Sequence, residues 1–132
     1  DRRYRGQITL TEAFADSVNT AAVRLAQTVG PARVAAKARE MGVVSAVQPV
    51  PSIALGTSEV GLLELTAAYL PFATGGIRRP VYGVTSVEDD RGEVLYQHMP
   101  TEVRVVAPEA AAGMQQLMAA VVADGRLRFA DA

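Results

Sequence analysis

Apolar residues recur every three or four positions along most of this chain, and glycine or proline stands at the breaks in the pattern. This spacing places apolar side chains on one face of a helix, so most of the chain is predicted to be helical. Thr9 and Glu12 have the spacing of a capping box, which predicts a helix that begins just after Thr9. Gly30 and Pro31 stand where one helix is expected to end and the next to begin.

Five helices are predicted from such start and stop signals, with an irregular loop over residues 43–56. The other signals are Asn19 or Thr20 as cap of the second helix, Met41 and Gly42 at the end of the third, Gly61 and Glu64 at the start of the fourth, and Pro108 and Asp124 at the limits of the fifth. The stripes expected to face inward are Leu10, Ala13, Phe14; Ala22, Leu25, Ala26, Val29; Val34, Ala35, Ala38, Met41; Leu62, Leu65, Tyr69, Phe72; and Ala111, Met114, Met118, Val121.

One stretch, from Val81 to Gln97, has a different character. β-Branched and aromatic residues flank a polar turn that ends at Gly92, which predicts a β-hairpin with strands near 82–88 and 93–97. A two-stranded hairpin is marginal in water unless it packs on another element. Strands and helices do not alternate, which disfavours a doubly wound parallel sheet. The predicted class is α+β, mainly helical, with about five helices and one hairpin.

The composition excludes several kinds of site. The chain has 132 residues, no Cys and a single His, His98, so a thiol nucleophile, a disulfide framework and a thiolate zinc site are impossible. No metal or cofactor is expected. A formal net charge of -1 argues against a nucleic-acid surface. No stretch approaches the roughly 20 apolar residues of a membrane span. Because the chain has no initiator Met and no signal peptide, we expect it to be a segment of a longer protein.

Three segments together resemble one protein family. Residues 8–26 contain Ser17-Val18-Asn19, residues 51–69 contain Leu55-Gly56-Thr57-Ser58-Glu59-Val60, and the hairpin contains Gly92-Glu93-Val94-Leu95-Tyr96. Their order and spacing are similar to those in the transpeptidase domain of bifunctional (class A) penicillin-binding proteins. The resemblance covers nearly the whole chain. It implies that residues 1–132 form one partial domain of the β-lactamase/transpeptidase type, lacking most of its central sheet.

Transpeptidases of this type use the motifs Ser-x-x-Lys, Ser-x-Asn and Lys-Thr-Gly. None of the five serines here has Lys three positions later, and Lys37, the only Lys, is followed by Ala38. The chain is therefore expected to lie between the first and third motifs and to be inactive alone. The resemblance is poorest at Gly125-Arg126-Leu127, where the family has a Gly-rich approach to its third motif.

The resemblance also implies roles for individual residues. An upstream Ser, activated by Lys, would attack the D-Ala-D-Ala carbonyl of a peptidoglycan stem peptide, and β-lactams would acylate the same Ser. Ser17 would transfer protons, and Asn19 would position substrate and Lys, with both facing a cleft and Val18 pointing into the core. Thr57 and Gly56 would contact substrate, whereas Glu59 is expected to hold backbone amides. The parent protein would be membrane-anchored and act on the periplasmic side of the bacterial inner membrane.

Other interpretations of the same residues stay open. Ser17 and Asn19 could simply break one helix and cap the next. The chain could be a non-catalytic helical module that self-associates through exposed apolar faces. A hydrolase in which Ser17 pairs with His98 is a weaker hypothesis, because His98 is expected to be a solvated surface residue. The pair Arg78-Arg79 is expected to flank a strand.

Overall fold

The structure, a computed structural model, describes residues 6–123. Five α-helices within this range confirm the predicted mainly helical α+β class. The predicted helix end near Asp124 and the segment Gly125-Arg126-Leu127 lie outside the described residues. The helices are α1 (Leu10–Ala15), α2 (Asn19–Val29), α3 (Pro31–Glu40), α4 (Leu62–Ala73) and α5 (Pro108–Ala123), and the strands are β1 (Ile77–Arg78), β2 (Ser86–Glu88), β3 (Val94–Gln97) and β4 (Val103–Arg104).

The predicted helix starts are confirmed where a local cap defines them. Thr9 and Glu12 form the reciprocal capping box: Thr9 N donates to Glu12 Oε2 at 2.8 Å, and Glu12 N donates to Thr9 Oγ1 at 3.2 Å. Gly30, with φ of 97°, ends α2 and stands at the N-cap of α3, whose first residue is Pro31.

The predicted cap of α2 was wrong. Val18 occupies the N-cap without a side-chain hydrogen bond, and Asn19 is the first residue of the helix. The Val18 carbonyl accepts hydrogen bonds from Ala21 N and Ala22 N, both at 3.1 Å. The Asn19 side chain is therefore not used to start the helix.

The hairpin of β2 and β3 is antiparallel and confirms the prediction. Its register pairs Val87 with Tyr96 and Ser86 with Gln97, with an irregularity after Val87. The predicted loop over residues 43–56 contains a short 3-10 helix at Pro51–Leu55. The prediction missed a second antiparallel pair, in which β1 and β4 join Ile77 to Arg104 and Arg78 to Val103. The pair Arg78-Arg79 was expected to flank a strand; Arg78 instead lies inside β1, and Arg79 directly follows it.

The core lies between α3, α4 and the loop that follows α3. Its buried residues are Ala35, Met41, Val43, Val47 and Ala68, and Ile53, Val60, Phe72, Val105 and Val106 pack against them. The inward stripe of α3 is confirmed, since Ala35 and Met41 are buried and Val34 and Ala38 half-buried. In α5 the stripe is also confirmed, with Ala111 buried and Met114, Met118 and Val121 half-buried.

The predicted stripe of α4 is confirmed only at Phe72, which is half-buried against the core. Leu62 is 80% exposed and Tyr69 56% exposed, whereas Ala68 and Pro71 are buried. The sequence of α4 is apolar nearly all round, so spacing alone could not select the face that packs on the core. The stripes of α1 and α2 are confirmed only at Ala13 and Ala26, because their larger members remain exposed: Leu10, Phe14, Leu25 and Val29.

Candidate functional site

Ser17 lies in a sharp junction between α1 and α2. Ser17 N donates to the Phe14 carbonyl at 3.1 Å and Val18 N donates to the Ala13 carbonyl at 2.9 Å. These two bonds form a Schellman motif, in which glycine usually occupies the position held here by Ser17. The φ of Ser17 is +51°, the only positive value for a non-glycine residue between positions 6 and 123. This left-handed conformation costs a side-chain-bearing residue about 1–2 kcal/mol.

The side chains of Ser17 and Asn19 leave this junction on the solvent side. Both residues are exposed, and Val18 between them, expected to point into the core, is only half-buried and lines an open cavity. Neither the Ser17 hydroxyl nor the Asn19 carboxamide makes a hydrogen bond to another residue of the described part of the chain. A hydroxyl both donates and accepts a proton, and a carboxamide does both without carrying charge. The junction therefore presents two uncommitted polar groups two residues apart.

Both side chains line the same open cavity of about 830 Å³. Other parts of its lining come from α4 and α5, which contribute largely apolar side chains. These are Tyr69, Phe72, Met114, Met118, Val121 and Val122. The structure thus places Ser17 and Asn19 in the lining of an open cleft whose other lining residues are largely apolar.

Thr57 and Gly56 are not part of this cavity. Thr57 lines a second open cavity, of about 750 Å³, together with residues of the loop that follows α3. Its hydroxyl lies 3.0 Å from the Ser52 hydroxyl and donates to the Ser52 carbonyl at 3.2 Å. Gly56 ends the 3-10 helix with φ of 71° and lines neither cavity. The 3-10 helix contributes Ala54 to the Ser17 cavity, and its flanking residues Val50 and Thr57 to the second one.

Glu64 holds the loop that forms the second cavity. Its carboxylate accepts hydrogen bonds from the backbone amides of Val44, Ser45 and Gly61 and from the Ser45 hydroxyl. These donors, led by the Ser45 hydroxyl, lower the pKa of Glu64 to about 2. Glu59 was expected to hold backbone amides, and in the structure Glu64 holds them. One sequence signal pointed to this role in part. Glu64 is three residues after Gly61, the N-cap of α4, and a Glu at that spacing commonly accepts a hydrogen bond from the N-cap amide.

His98 is not a solvated surface residue, contrary to the prediction. Its ring stacks on Tyr82 with the ring centroids 3.8 Å apart, and its Nε2 atom is buried without a hydrogen-bond partner among residues 6–123. His98 does not line the Ser17 cavity. The structure therefore gives no support to a Ser17–His98 pair.

Neither a metal site nor a membrane span is found in the described part of the chain. Residues 6–123 contain no group of three or more His, Asp or Glu side chains able to hold a metal ion. None of the helices in this range has both the length and the hydropathy needed to cross a membrane.

Comparison with known proteins assigns the family. The sequence model of the penicillin-binding protein transpeptidase domain matches residues 1–131. Penicillin-binding protein 1A of Aquifex aeolicus (strain VF5) is 36% identical over 98% of this chain and 18% of its own length. Penicillin-binding protein 1B of Vibrio cholerae (serotype O1, El Tor Inaba N16961) is 32% identical over 100% of the chain and 17% of its own length.

A solved structure of a penicillin-binding protein has a fold similar to that of this chain. The imipenem acyl-enzyme complex of penicillin-binding protein A from M. tuberculosis superposes with a TM-score of 0.77 at 25% identity. The match covers 86% of this chain and 31% of that one. The chain thus spans less than a third of any of these three relatives. Together with the family match over residues 1–131, these similarities establish that the chain belongs to the penicillin-binding protein transpeptidase domain family.

Proposed function

We propose that this chain is part of a peptidoglycan D,D-transpeptidase, and that its residues lie between the first and third active-site motifs of that enzyme. Family membership supports the proposal, as does the match to a penicillin-binding protein solved as an imipenem acyl-enzyme. In this proposal the enzyme acts on the periplasmic side of a bacterial inner membrane, where stem peptides are cross-linked. The parent protein is anchored in that membrane.

The observation that carries the proposal is the placement of Ser17. A serine is held in a left-handed conformation that favours glycine, and it lines an open cleft with its hydroxyl uncommitted among residues 6–123. Unfavourable backbone conformations of this kind concentrate at functional sites. Had the residue served only to end α1, glycine would do so without the cost in strain. We assign the Ser17 hydroxyl to proton transfer.

The chemistry requires such a relay in both half-reactions. In the first, a nucleophilic Ser of the parent loses its proton to Lys and attacks the D-Ala-D-Ala carbonyl, and the terminal D-Ala leaves as a protonated amine. In the second, an amine of another strand attacks the ester, a proton leaves that amine, and the Ser oxygen is protonated again. The Ser17 hydroxyl can accept a proton on one side and donate one on the other. Positioned acid–base groups accelerate such steps about 10²–10⁴-fold.

Asn19 supplies the neutral amide of the same site. Its carboxamide can accept a hydrogen bond from the ammonium group of Lys and donate one to a substrate carbonyl. Because the amide carries no charge, it would leave the proton balance of the site unchanged. The substrate role of Thr57 and Gly56 stays a prediction. The Thr57 hydroxyl already bonds to Ser52, and neither residue lies in the Ser17 cavity.

Labelling with a fluorescent penicillin tests the proposal. The parent protein is expected to be labelled at a Ser that is followed three positions later by Lys. The 132-residue chain alone is expected to stay unlabelled, because it contains no Ser-x-x-Lys. In the parent, Ser17→Ala is expected to slow acylation about 10²–10⁴-fold. The matched control Ser86→Ala, in the exposed strand β2, should leave acylation unchanged. Labelling of Ser17 itself, or equal rates for the two variants, would contradict the proposal.

Exposed apolar side chains support a second proposal, self-association of the isolated chain. Leu62 and Leu63 of α4 are 80% and 67% exposed, and Leu10 of α1 is 56% exposed. Large exposed apolar patches favour association. Sedimentation of the isolated chain is expected to show oligomers that Leu62→Glu shifts toward monomer. A monomer at all concentrations would refute self-association without affecting the transpeptidase assignment.

A further inference from the structure

The hairpin of β2 and β3 is exposed on both faces. All seven residues of its two strands are exposed, and within residues 6–123 these strands pack extensively only on each other. A two-stranded hairpin in water is stabilised when a further element packs on it. The hairpin therefore has surface available for a partner.

Hydrogen bonds and a ring stack hold this hairpin at both ends. At its base, His98 N donates to the Thr85 carbonyl at 2.7 Å, and the His98 ring stacks on Tyr82 with the ring centroids 3.8 Å apart. At its turn, Asp89 N donates to the Glu93 carbonyl at 2.9 Å, and Glu93 N donates to Asp89 Oδ1 at 2.8 Å. A binding element that is already held in shape loses less conformational freedom when it binds.

Leu95 is an extra residue in β3. Val87 pairs with Tyr96 and Glu88 with Val94, so Leu95 has no partner across the strands. A bulge of this kind re-aims a side chain and interrupts the free edge of the strand. Three consecutive apolar side chains remain open to solvent, since Val94 is 57%, Leu95 67% and Tyr96 47% exposed. Together with Val87 they form the Leu95 patch, which is expected to make contacts through side chains and not through addition of a strand.

The Leu95 patch lies beside a concentration of negative charge. Residues 86–97 contain one Arg, Arg91, and four carboxylates: Glu88, Asp89, Asp90 and Glu93. This segment therefore has a formal charge of -3, whereas the whole chain has -1. None of the four carboxylates forms an ion pair with another residue of positions 6–123. A partner that complements the patch combines apolar side chains with Lys or Arg, and a second copy docked through the same patch is disfavoured by like charge.

We propose that the Leu95 patch binds a basic, apolar segment of a partner protein. The apolar side chains of that segment cover Leu95 and Tyr96, and its Lys or Arg side chains lie beside Asp90 and Glu93. The proposal does not depend on Ser17 acting in catalysis, because the Leu95 patch contributes no residue to the lining of the Ser17 cavity.

Fluorescence anisotropy with labelled peptides tests the proposal on the parent protein. The probe is the amide of Lys-Val-Lys-Leu-Lys-Val. One counterpart, Glu-Val-Glu-Leu-Glu-Val, reverses the charge, and the other, Lys-Ser-Lys-Ser-Lys-Ser, removes the apolar side chains. The probe is expected to bind at least about tenfold more tightly than either counterpart. Its binding is expected to weaken with added salt, because ions screen exposed charges.

Two matched pairs of variants locate the binding. Leu95→Ser should weaken binding of the probe about tenfold, because apolar contact is lost. Leu25→Ser, the same change at an exposed position of α2, should leave binding unchanged. Glu93→Gln should weaken binding about two- to five-fold, as for an exposed ion pair. Glu109→Gln, in the first turn of α5, should leave it unchanged.

Several outcomes would overturn the proposal. Equal affinity for the charge-reversed peptide, or equal losses within either pair of variants, would show that the patch does not select a basic, apolar segment. Failure of the parent to bind the probe would show that the patch is not available in the parent. Dimerisation of the parent that Leu95→Ser abolishes would assign the patch to a second copy. None of these results would alter the labelling of the parent by penicillin.

Discussion

Among the glycines of residues 6–123, Gly76 has the least room for a side chain and supports a sharp prediction. Its φ is +96°, and a Cβ atom placed on it would lie 1.9 Å from the Val106 carbonyl oxygen and 2.8 Å from the Val106 carbonyl carbon. The Gly76 carbonyl also accepts hydrogen bonds from Val105 N at 2.9 Å and Val106 N at 3.2 Å. These contacts fasten the turn after α4 to the segment that leads into α5. Gly76→Ala is therefore expected to destabilise the fold strongly.

The magnitude has three physical sources. The left-handed conformation costs alanine about 1–2 kcal/mol. Relief of the overlap with a backbone oxygen costs about 1–3 kcal/mol, as for overpacked sites. The shift that relieves it weakens two amide hydrogen bonds, each worth about 0.5–1.5 kcal/mol. Gly76→Ala should thus cost at least about 3 kcal/mol, a large share of the 5–15 kcal/mol typical of a domain.

Gly75→Ala is the matched control. Gly75 also has a positive φ, +64°, but no atom lies within 4 Å of the position of its Cβ. Only the conformational strain applies there, so the expected cost is about 1–2 kcal/mol. Urea unfolding followed by circular dichroism at 222 nm measures both variants. Equal free energies of unfolding for the two would refute the argument that close approach, and not conformation alone, requires glycine at position 76.

Three further predictions concern local interactions. The pKa of Glu64 is lowered in the folded state from 4.5 to about 2, so the stability that its carboxylate contributes is present above pH 4.5 and is lost as the pH falls toward 2. Glu64→Gln should therefore flatten the curve of unfolding free energy against pH in this range. An unchanged slope would contradict the role of the carboxylate. Ser17→Gly should raise the free energy of unfolding by up to about 1 kcal/mol, because glycine relieves the left-handed strain, and a decrease in urea titration would argue against that conformation. Thr9→Ala should lower the free energy of unfolding by about 0.5–2 kcal/mol, because the N-cap of α1 is lost. The control Thr11→Ala, inside the same helix, should lower it by less. Equal thermal midpoints for the two variants would count against the capping box.

The features predicted correctly depend on residues close together in the chain. The capping box of Thr9 and Glu12, the Gly30-Pro31 junction and the hairpin turn before Gly92 each involve contacts within about four positions. Such signals are present in the sequence regardless of how the helices later pack. The cap of α2 was the exception. Asn19 is a good capping residue, but the Schellman turn at Ser17 shifted the N-cap to Val18.

The candidate site was predicted in part. Ser17 and Asn19 were identified from the motif, and their exposure at a helix junction agrees with the expectation. Glu64 was recognised only as a signal for the start of α4. Its bonds to Val44 and Ser45 span 19 to 20 positions, and no local pattern signals them.

The sequence alone therefore determined most of the helix starts, the hairpin and the family, because these depend on short-range periodicity, caps and motif spacing. Only the tertiary structure decided which face of α4 is buried, that β1 pairs with β4, and that Ser17 and Thr57 line separate cavities. The physical reason is that these features depend on contacts between residues distant in the chain. A helix that is apolar on nearly all sides, such as α4, permits several packings that periodicity cannot distinguish.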